Sequence, residues 1–264
     1  MCEQHSRSIA LRTQGGFCNR VRAIVSGVLW AEDLNRKLVI YWPDEPGHLP
    51  CKLEDLLVPK SIPRLCCVHA GYLPGARSVQ SLKDMDAVLA VVGNTEDIKI
   101  ESYSAFHPDC YGDRGVSILR SLRIQPVIAD LADKLWNESG CDSKMIGIHY
   151  RGTDHRKCLE ASPLNLFVER MSEWLDEVPG ARFLLCTDEH GVARSLNDLF
   201  GDRVVVAVEV RGRRLVKQQI LGVVDWLLLH RCPMVWGSAG SSFSELATMR
   251  SGGTLLKVCF TPTQ

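Results

Sequence analysis

The 264-residue chain is 45% hydrophobic and 23% charged, the balance of a soluble globular protein rather than a disordered or fibrous one. Its 31 Lys and Arg equal its 31 Asp and Glu, so no overall field recruits nucleic acid or an acidic membrane, and any anion site is local. No apolar run reaches the ~20 residues of a membrane span; ILGVVDWLLLH is short and carries Asp225.

In chain order, Ile9–Arg12 reads as a strand that Gln14-Gly15-Gly16 turns tightly into a helix. That helix carries Val21, Ile24, Val25, Val28 and Leu29 at helical spacing. KLVIYW (37–42) is the next strand, and AVLAVV (87–92) reads as a later one. Residues 43–83 show no regular pattern. LRIQPVIADLADKLW, around Pro126, reads as the passage between two halves, which places domains at 1–124 and 125–264.

In the second half, strands are expected at 145–150, 182–186, 204–208, 233–237 and 254–260, each short, apolar and bounded by turn residues. PLNLFVERMSEWLDEV puts Phe167, Met171, Trp174, Leu175 and Val178 on one helical face, with Pro163 suited to a first turn. Val216, Ile220, Val224, Leu227 and Leu228 form another stripe. Ser242-Phe243-Ser244-Glu245 has the spacing of a capping box, and Gly252-Gly253 supplies a stop. Alternating strands and helices imply an α/β fold with a parallel sheet covered on both faces.

Eleven cysteines suggest a disulfide framework, but the number is odd, the chain is large and no CxxC pair occurs. The neighbours Cys66 and Cys67 lack a zinc spacing. The polar opening MCEQHSRS has no signal-peptide pattern, so reduced thiols and a cytoplasmic location are expected, and the sequon at Asn137 is incidental.

Polar and glycine-rich clusters follow the strands. TQGGFCNR follows the first; HYRGTDHRK, CTDEH, RGRR (211–214) and GSAGSSFSE follow strands of the second half. In open parallel sheets that rim is where ligands bind. Helix starts after Gly15-Gly16 and after Gly240 can present backbone N–H groups to phosphate oxygens, and Arg151 can fork onto a diphosphate. Asp188, an acceptor only, suits the N1–H and exocyclic amine of guanine. Each residue also has a plainer reading: His149 as a satisfied strand-end histidine, Arg151 as a surface ion-pair partner, Asp188 as an N-cap for 190–200 and Ser242 as a pure cap. RGRR reads better as a solvated loop than as a phosphate clamp, and Arg156 reads as solvated. Asp84-Met85-Asp86 has the D-x-D form of a metal–diphosphate motif, but it precedes AVLAVV and so lies at the wrong end of that strand.

Taken together, HYRGTDHRK followed by Glu160, then CTDE, then GSAGSSFSELA resemble the three C-terminal motifs of the GDP-fucose-dependent fucosyltransferases. GGFCNR is similar to that family's N-terminal glycine element, although Cys18 stands where a glycine is usual. The resemblance implies a GT-B-like α/β architecture: two Rossmann-like, doubly wound domains whose parallel sheets face each other across a cleft. The C-terminal domain would hold the nucleotide-sugar donor and the N-terminal domain would serve the acceptor. Inverting, metal-independent transfer of fucose from GDP-fucose to a glycan or other hydroxyl is implied. By position, Arg151 would hold the diphosphate, His149 and Asp188 would lie near guanine, and Ser241 and Ser242, beside Phe243, would bind phosphate or ribose. Gly15, Gly16 and Asn19 would face the cleft. Thr153 and Asp154 match the pair that braces the arginine loop, and Glu160 matches the proposed general base with a one-residue offset.

Overall fold

Ile9 and Leu11 on one strand, Leu38 and Ile40 on the next, and Ile98 and Ile100 on a third are all buried; between them Val39 is half-buried and Lys99 exposed, and only the small Ala10 of the central strand is buried as well. That period of two builds a sheet with one dry face. The computed structural model describes residues 7–44, 49–92, 96–152, 156–209 and 215–260. It falls into two compact units, Met1–Gln125 and Pro126–Gln264.

The first unit runs β1 (Ser8–Thr13), α1 (Phe17–Asp33), β2 (Lys37–Tyr41), a short α2 (Leu53–Leu56), β3 (Leu65–His69), β4 (Arg77–Ser78), α3 (Leu82–Val92), β5 (Ile98–Ser102) and α4 (Asp113–Ser121). Its five strands are parallel in the order β3-β2-β1-β5-β4, so β1 is central and the chain reverses its direction of travel beside it. α1 buries Val21, Ile24, Val25, Val28 and Leu29, as their spacing predicts. Gly27 lets it approach closely: a Cβ there would lie 2.9 Å from Leu11 Cδ2.

Residues 87–92, expected as a strand, belong instead to helix α3. A six-residue apolar run does not by itself distinguish strand from buried helix. Here Ser81 decides: its Oγ accepts the backbone N–H of Asp84 and donates to the Asp84 carboxylate, which starts a helix with Met85 and Val88 inward. The strand is instead IKIES, β5, with Ile98, Ile100 and Ser102 alternating inward. The patternless stretch 43–83 holds α2, a 3₁₀ turn, β3 and β4.

The second unit runs α5 (Pro126–Glu138), β6 (Ile146–Tyr150), α6 (Arg156–Ala161), α7 (Leu164–Glu177), β7 (Phe183–Thr187), α8 (His190–Phe200), β8 (Val204–Val205), α9 (Val216–Leu229), β9 (Met234–Ser238), α10 (Ser242–Ser251) and β10 (Thr254–Val258). The sheet order is β10-β9-β6-β7-β8, again all parallel. β6 and β7 are buried at every position, as strands covered on both faces must be. Ile146, Ile148, Phe183 and Trp236 pack with Phe167 and Met171 of α7. On the other face a Cβ at Gly147 would meet Leu229 and Cys232, which accounts for the glycine.

Three expectations change here. β8 is a strand of two residues rather than five, pairing Val204 with Phe183 and Val205 with Leu184. The buried side of α9 is Val223, Val224, Trp226, Leu228 and Leu229, so Val216 lies exposed. The box expected from Ser242 does not form: Ser241 is the N-cap, with no side-chain cap bond, while Gly252 closes the helix at φ 78° as predicted. Among the described residues the cysteines are thiols, not disulfides, and no helix is long and apolar enough to cross a membrane.

Candidate functional site

In the second unit the chain leaves β6 toward β7 on one side and later crosses to β9 on the other. The carboxyl ends of β6 and β9 therefore flank the switch point where an open α/β sheet leaves a crevice. The Arg151 loop follows β6, and Ala239-Gly240-Ser241 follows β9 and opens α10.

Specific bonds lock these loops together. Ser238 Oγ accepts the Arg151 backbone N–H at 3.1 Å and lies 3.5 Å from the His149 carbonyl, to which it donates. His149 is buried, stacked on Phe243 with ring centroids 4.7 Å apart, and its Nδ1 lies 3.4 Å from Ser241 Oγ. That pairing turns the Ser241 hydroxyl to the strand and explains why it does not cap α10. Gly240 takes φ 72°, a left-handed conformation suited to glycine, and lets the chain turn into the helix.

Asp188 does not cap α8, whose N-cap is Glu189; its Oδ1 accepts the Gly152 N–H at 2.7 Å. Gly152 is needed there, since a Cβ would fall 2.3 Å from Glu189 Oε2 and 2.9 Å from Glu189 Cβ. Burial, with the charges of Glu189 and Asp188, pushes the Tyr150 hydroxyl above the usual tyrosine range.

α6 carries Glu160 on its outer side, 62% exposed and ion-paired with Arg156 at 2.8 Å; Arg156 is thus exposed, as expected, but paired. On the inner side Cys158 donates to the Ala239 carbonyl at 2.9 Å, and Ser162, just beyond the helix, accepts the Ala239 N–H at 2.9 Å. Thr153, Asp154 and the RGRR segment lie outside the described residues.

In the first unit Gly15 has φ 76°, Gly16 is the N-cap of α1, and Asn19 lies against Gly15. Arg20, missed in the sequence, is fully buried. It donates to the Gly15 carbonyl at 2.8 Å and the Pro43 carbonyl at 2.7 Å, and its guanidinium lies 4.6 Å from the Trp42 ring centroid. Its position four before Ile24, inside the apolar stripe, was the available signal. Across the same rim Arg12 pairs with Glu101 at 3.0 Å, beneath the exposed Tyr72 ring.

Asp84 and Asp86 both lie on α3, where residues two apart point to different sides and do not converge on one ion. The Asp84 carboxylate instead accepts the Gln80 N–H and the Ser81 hydroxyl, which hold its pKa below the usual value. Among the described residues no group of three or more His, Cys, Asp or Glu is arranged to hold a metal.

The two parallel, Rossmann-like sheets have the fold of solved fucosyltransferase structures, in agreement with the motif resemblance. The chain is similar to fucosyltransferase NodZ from Bradyrhizobium, with a TM-score of 0.68 and 18% identity over 92% of this chain and 93% of that one. It is also similar to POFUT1 (0.60, 12% identity, 97% and 99% covered) and to a FUT1 variant from Arabidopsis thaliana in complex with GDP (0.65, 12% identity, 97% and 70% covered). NodZ α-1,6-fucosyltransferase has also been crystallised with GDP and soaked with GDP-fucose. No family model matches the sequence, and no curated protein matches it.

Proposed function

We propose that this protein is an inverting, metal-independent glycosyltransferase that moves fucose from GDP-fucose to a glycan or other hydroxyl acceptor. The observation that carries the reading is the meeting of the Arg151 loop and the Ala239–Ser242 loop at the switch point of the second unit, each held by the other through Ser238. When fucose leaves, negative charge grows on the diphosphate. A guanidinium and the N-terminus of α10 supply fixed positive potential for it without a metal. Solved structures with GDP or GDP-fucose on this fold support that choice of donor.

In this reading Arg151, Ser241 and Ser242 hold the phosphates and ribose, and His149, Phe243 and Asp188 surround the guanine. Glu160 serves as the base toward the acceptor, with Asp154 bracing the loop. The first unit, through Gly15, Gly16 and Asn19, serves the acceptor side. A second reading, a nucleotide-binding protein without transfer, is favoured by the exposure of Glu160 and its pairing with Arg156.

Thermal shift with GDP, ADP and UDP tests the donor. GDP at a hundred times its dissociation constant should add about 2.7 kcal/mol of stability. Equal shifts from all three would remove the guanine assignment. Transfer of labelled fucose, undiminished in excess EDTA, would support the enzyme; binding without transfer would support the second reading.

A further inference from the structure

Both polar groups of the Ala239 unit, its N–H and its C=O, are held by side chains of one neighbouring segment. Ser162 Oγ accepts the N–H and Cys158 donates its S–H to the C=O, each at 2.9 Å. Cys158 is 2% exposed and Ser162 1%, so neither bond is easily replaced by water. The clamped residue stands between Ser238, which holds the Arg151 backbone, and Gly240, whose φ of 72° aims the chain into α10. A Cβ at Gly240 would lie 3.8 Å from Cys158 Sγ, so the thiol lies directly behind the turn. Ala161, the last residue of α6, accepts the Phe260 N–H at 3.0 Å, which anchors the segment to the chain beyond β10.

We infer that Cys158 and Ser162 are positioning residues for donor phosphate: they fix the Ala239-Gly240 turn and with it the direction of the N–H groups at the start of α10. The inference rests on the proposed donor reading. Neither side chain touches the ligand; both act through the loop. Because α6 begins five residues after Arg151, the same short helix ties the β6 loop to the β9 loop, and a displacement of one is felt by the other. A thiol in this role is replaceable by a hydroxyl but not by a methyl, since the Ala239 carbonyl needs a donor.

The experiment measures the affinities of GDP and of guanosine for wild type, Cys158→Ala, Cys158→Ser and Ser162→Ala, each shown to be folded. A role in phosphate positioning lowers the ratio of GDP to guanosine affinity about tenfold in the two alanine variants and leaves guanosine binding near wild type. Cys158→Ser restores the ratio. General loosening of the fold would weaken both ligands together and leave the ratio unchanged, which overturns the inference. So does a Cys158→Ser protein no better than Cys158→Ala. Wild type that fails to bind GDP removes the donor reading and this inference with it. Wild type that binds GDP beside alanine variants of unchanged ratio removes the clamp alone.

Discussion

The carboxylate of Asp188 accepts the backbone N–H of Gly152 at 2.7 Å, joining the loop after β7 to the loop after β6 one residue beyond Arg151. A hydrogen bond to an ionised acceptor is worth about 1.5–3 kcal/mol, enough to set the geometry of a short loop. Asp188→Ala is expected to weaken GDP binding more than tenfold. Asp188→Asn keeps an acceptor for Gly152 but not two oxygens for guanine, so GDP should bind more weakly while its advantage over ADP disappears. Calorimetric titration of both nucleotides checks this. Retained preference for GDP in Asp188→Asn would leave Asp188 a brace only.

Gly152→Ala tests the same loop from the other side. The added carbon would meet the flexible end of Glu189 and also its Cβ, which cannot swing away. Overpacking of this kind costs about 1–3 kcal/mol. A lowered melting temperature and weaker GDP binding are expected, with partial recovery in Gly152→Ala/Glu189→Ala. No recovery would mean that the Tyr150 ring, 3.2 Å from the same carbon, and not Glu189, sets the requirement for glycine.

If Arg151 stabilises the departing diphosphate, Arg151→Ala should lose on the order of 10²–10³ in turnover, the usual effect of removing such a donor. Arg151→Lys keeps the charge without the planar fork and should remain badly impaired. Arg156 is a poor control because it reaches Glu160; exposed Arg194 on α8 serves instead. Turnover of Arg151→Ala within a fewfold of Arg194→Ala would end the assignment.

Glu160→Gln separates the two functional readings. As the base toward the acceptor, its carboxylate is required for transfer but not for GDP binding, so turnover should fall at least a hundredfold, within the range of a general base, with GDP affinity unchanged. Arg156→Ala releases the carboxylate from its partner and should not abolish transfer. An unaltered rate in Glu160→Gln would move the base elsewhere in the loop.

Asp225 supplies a pH dependence. Desolvation pushes its carboxyl up to about 8, against a smaller lowering by a hydrogen bond with Cys186, although the residue as a whole is only half-buried. The folded value lies above the ordinary 3.8, so the protonated form is the one the fold favours. Its contribution is fully present below about pH 4 and is lost as pH rises toward about 8. Asp225→Asn should therefore gain stability relative to wild type across that window. Melting curves of the two proteins over the range provide the check, and parallel curves would place the carboxyl in water.

Much of this protein was readable from its residues because the signals are local. A period of two or 3.6, a glycine after a strand and a proline at Pro126 act within a few positions, and they placed the main strands of the second unit, α1 and its glycine turn. The motif clusters could be set at strand ends for the same reason. Where a signal was short or ambiguous, as in AVLAVV, the hydroxyl of Ser81 and burial of Met85 and Val88 decided for a helix.

Sequence alone did not show which loops meet. Strand order put β9 beside β6, pairing His149 with Gly237, 88 positions further along the chain, and thereby brought Ser238 to Arg151 and Cys158 to Ala239. Asp188, readable as a cap or a ligand contact, found a third partner in Gly152, and Arg20 became the fixed support of Gly15. These roles depend on pairing between distant segments, whose geometry is set by packing of the whole sheet rather than by preferences within any one stretch.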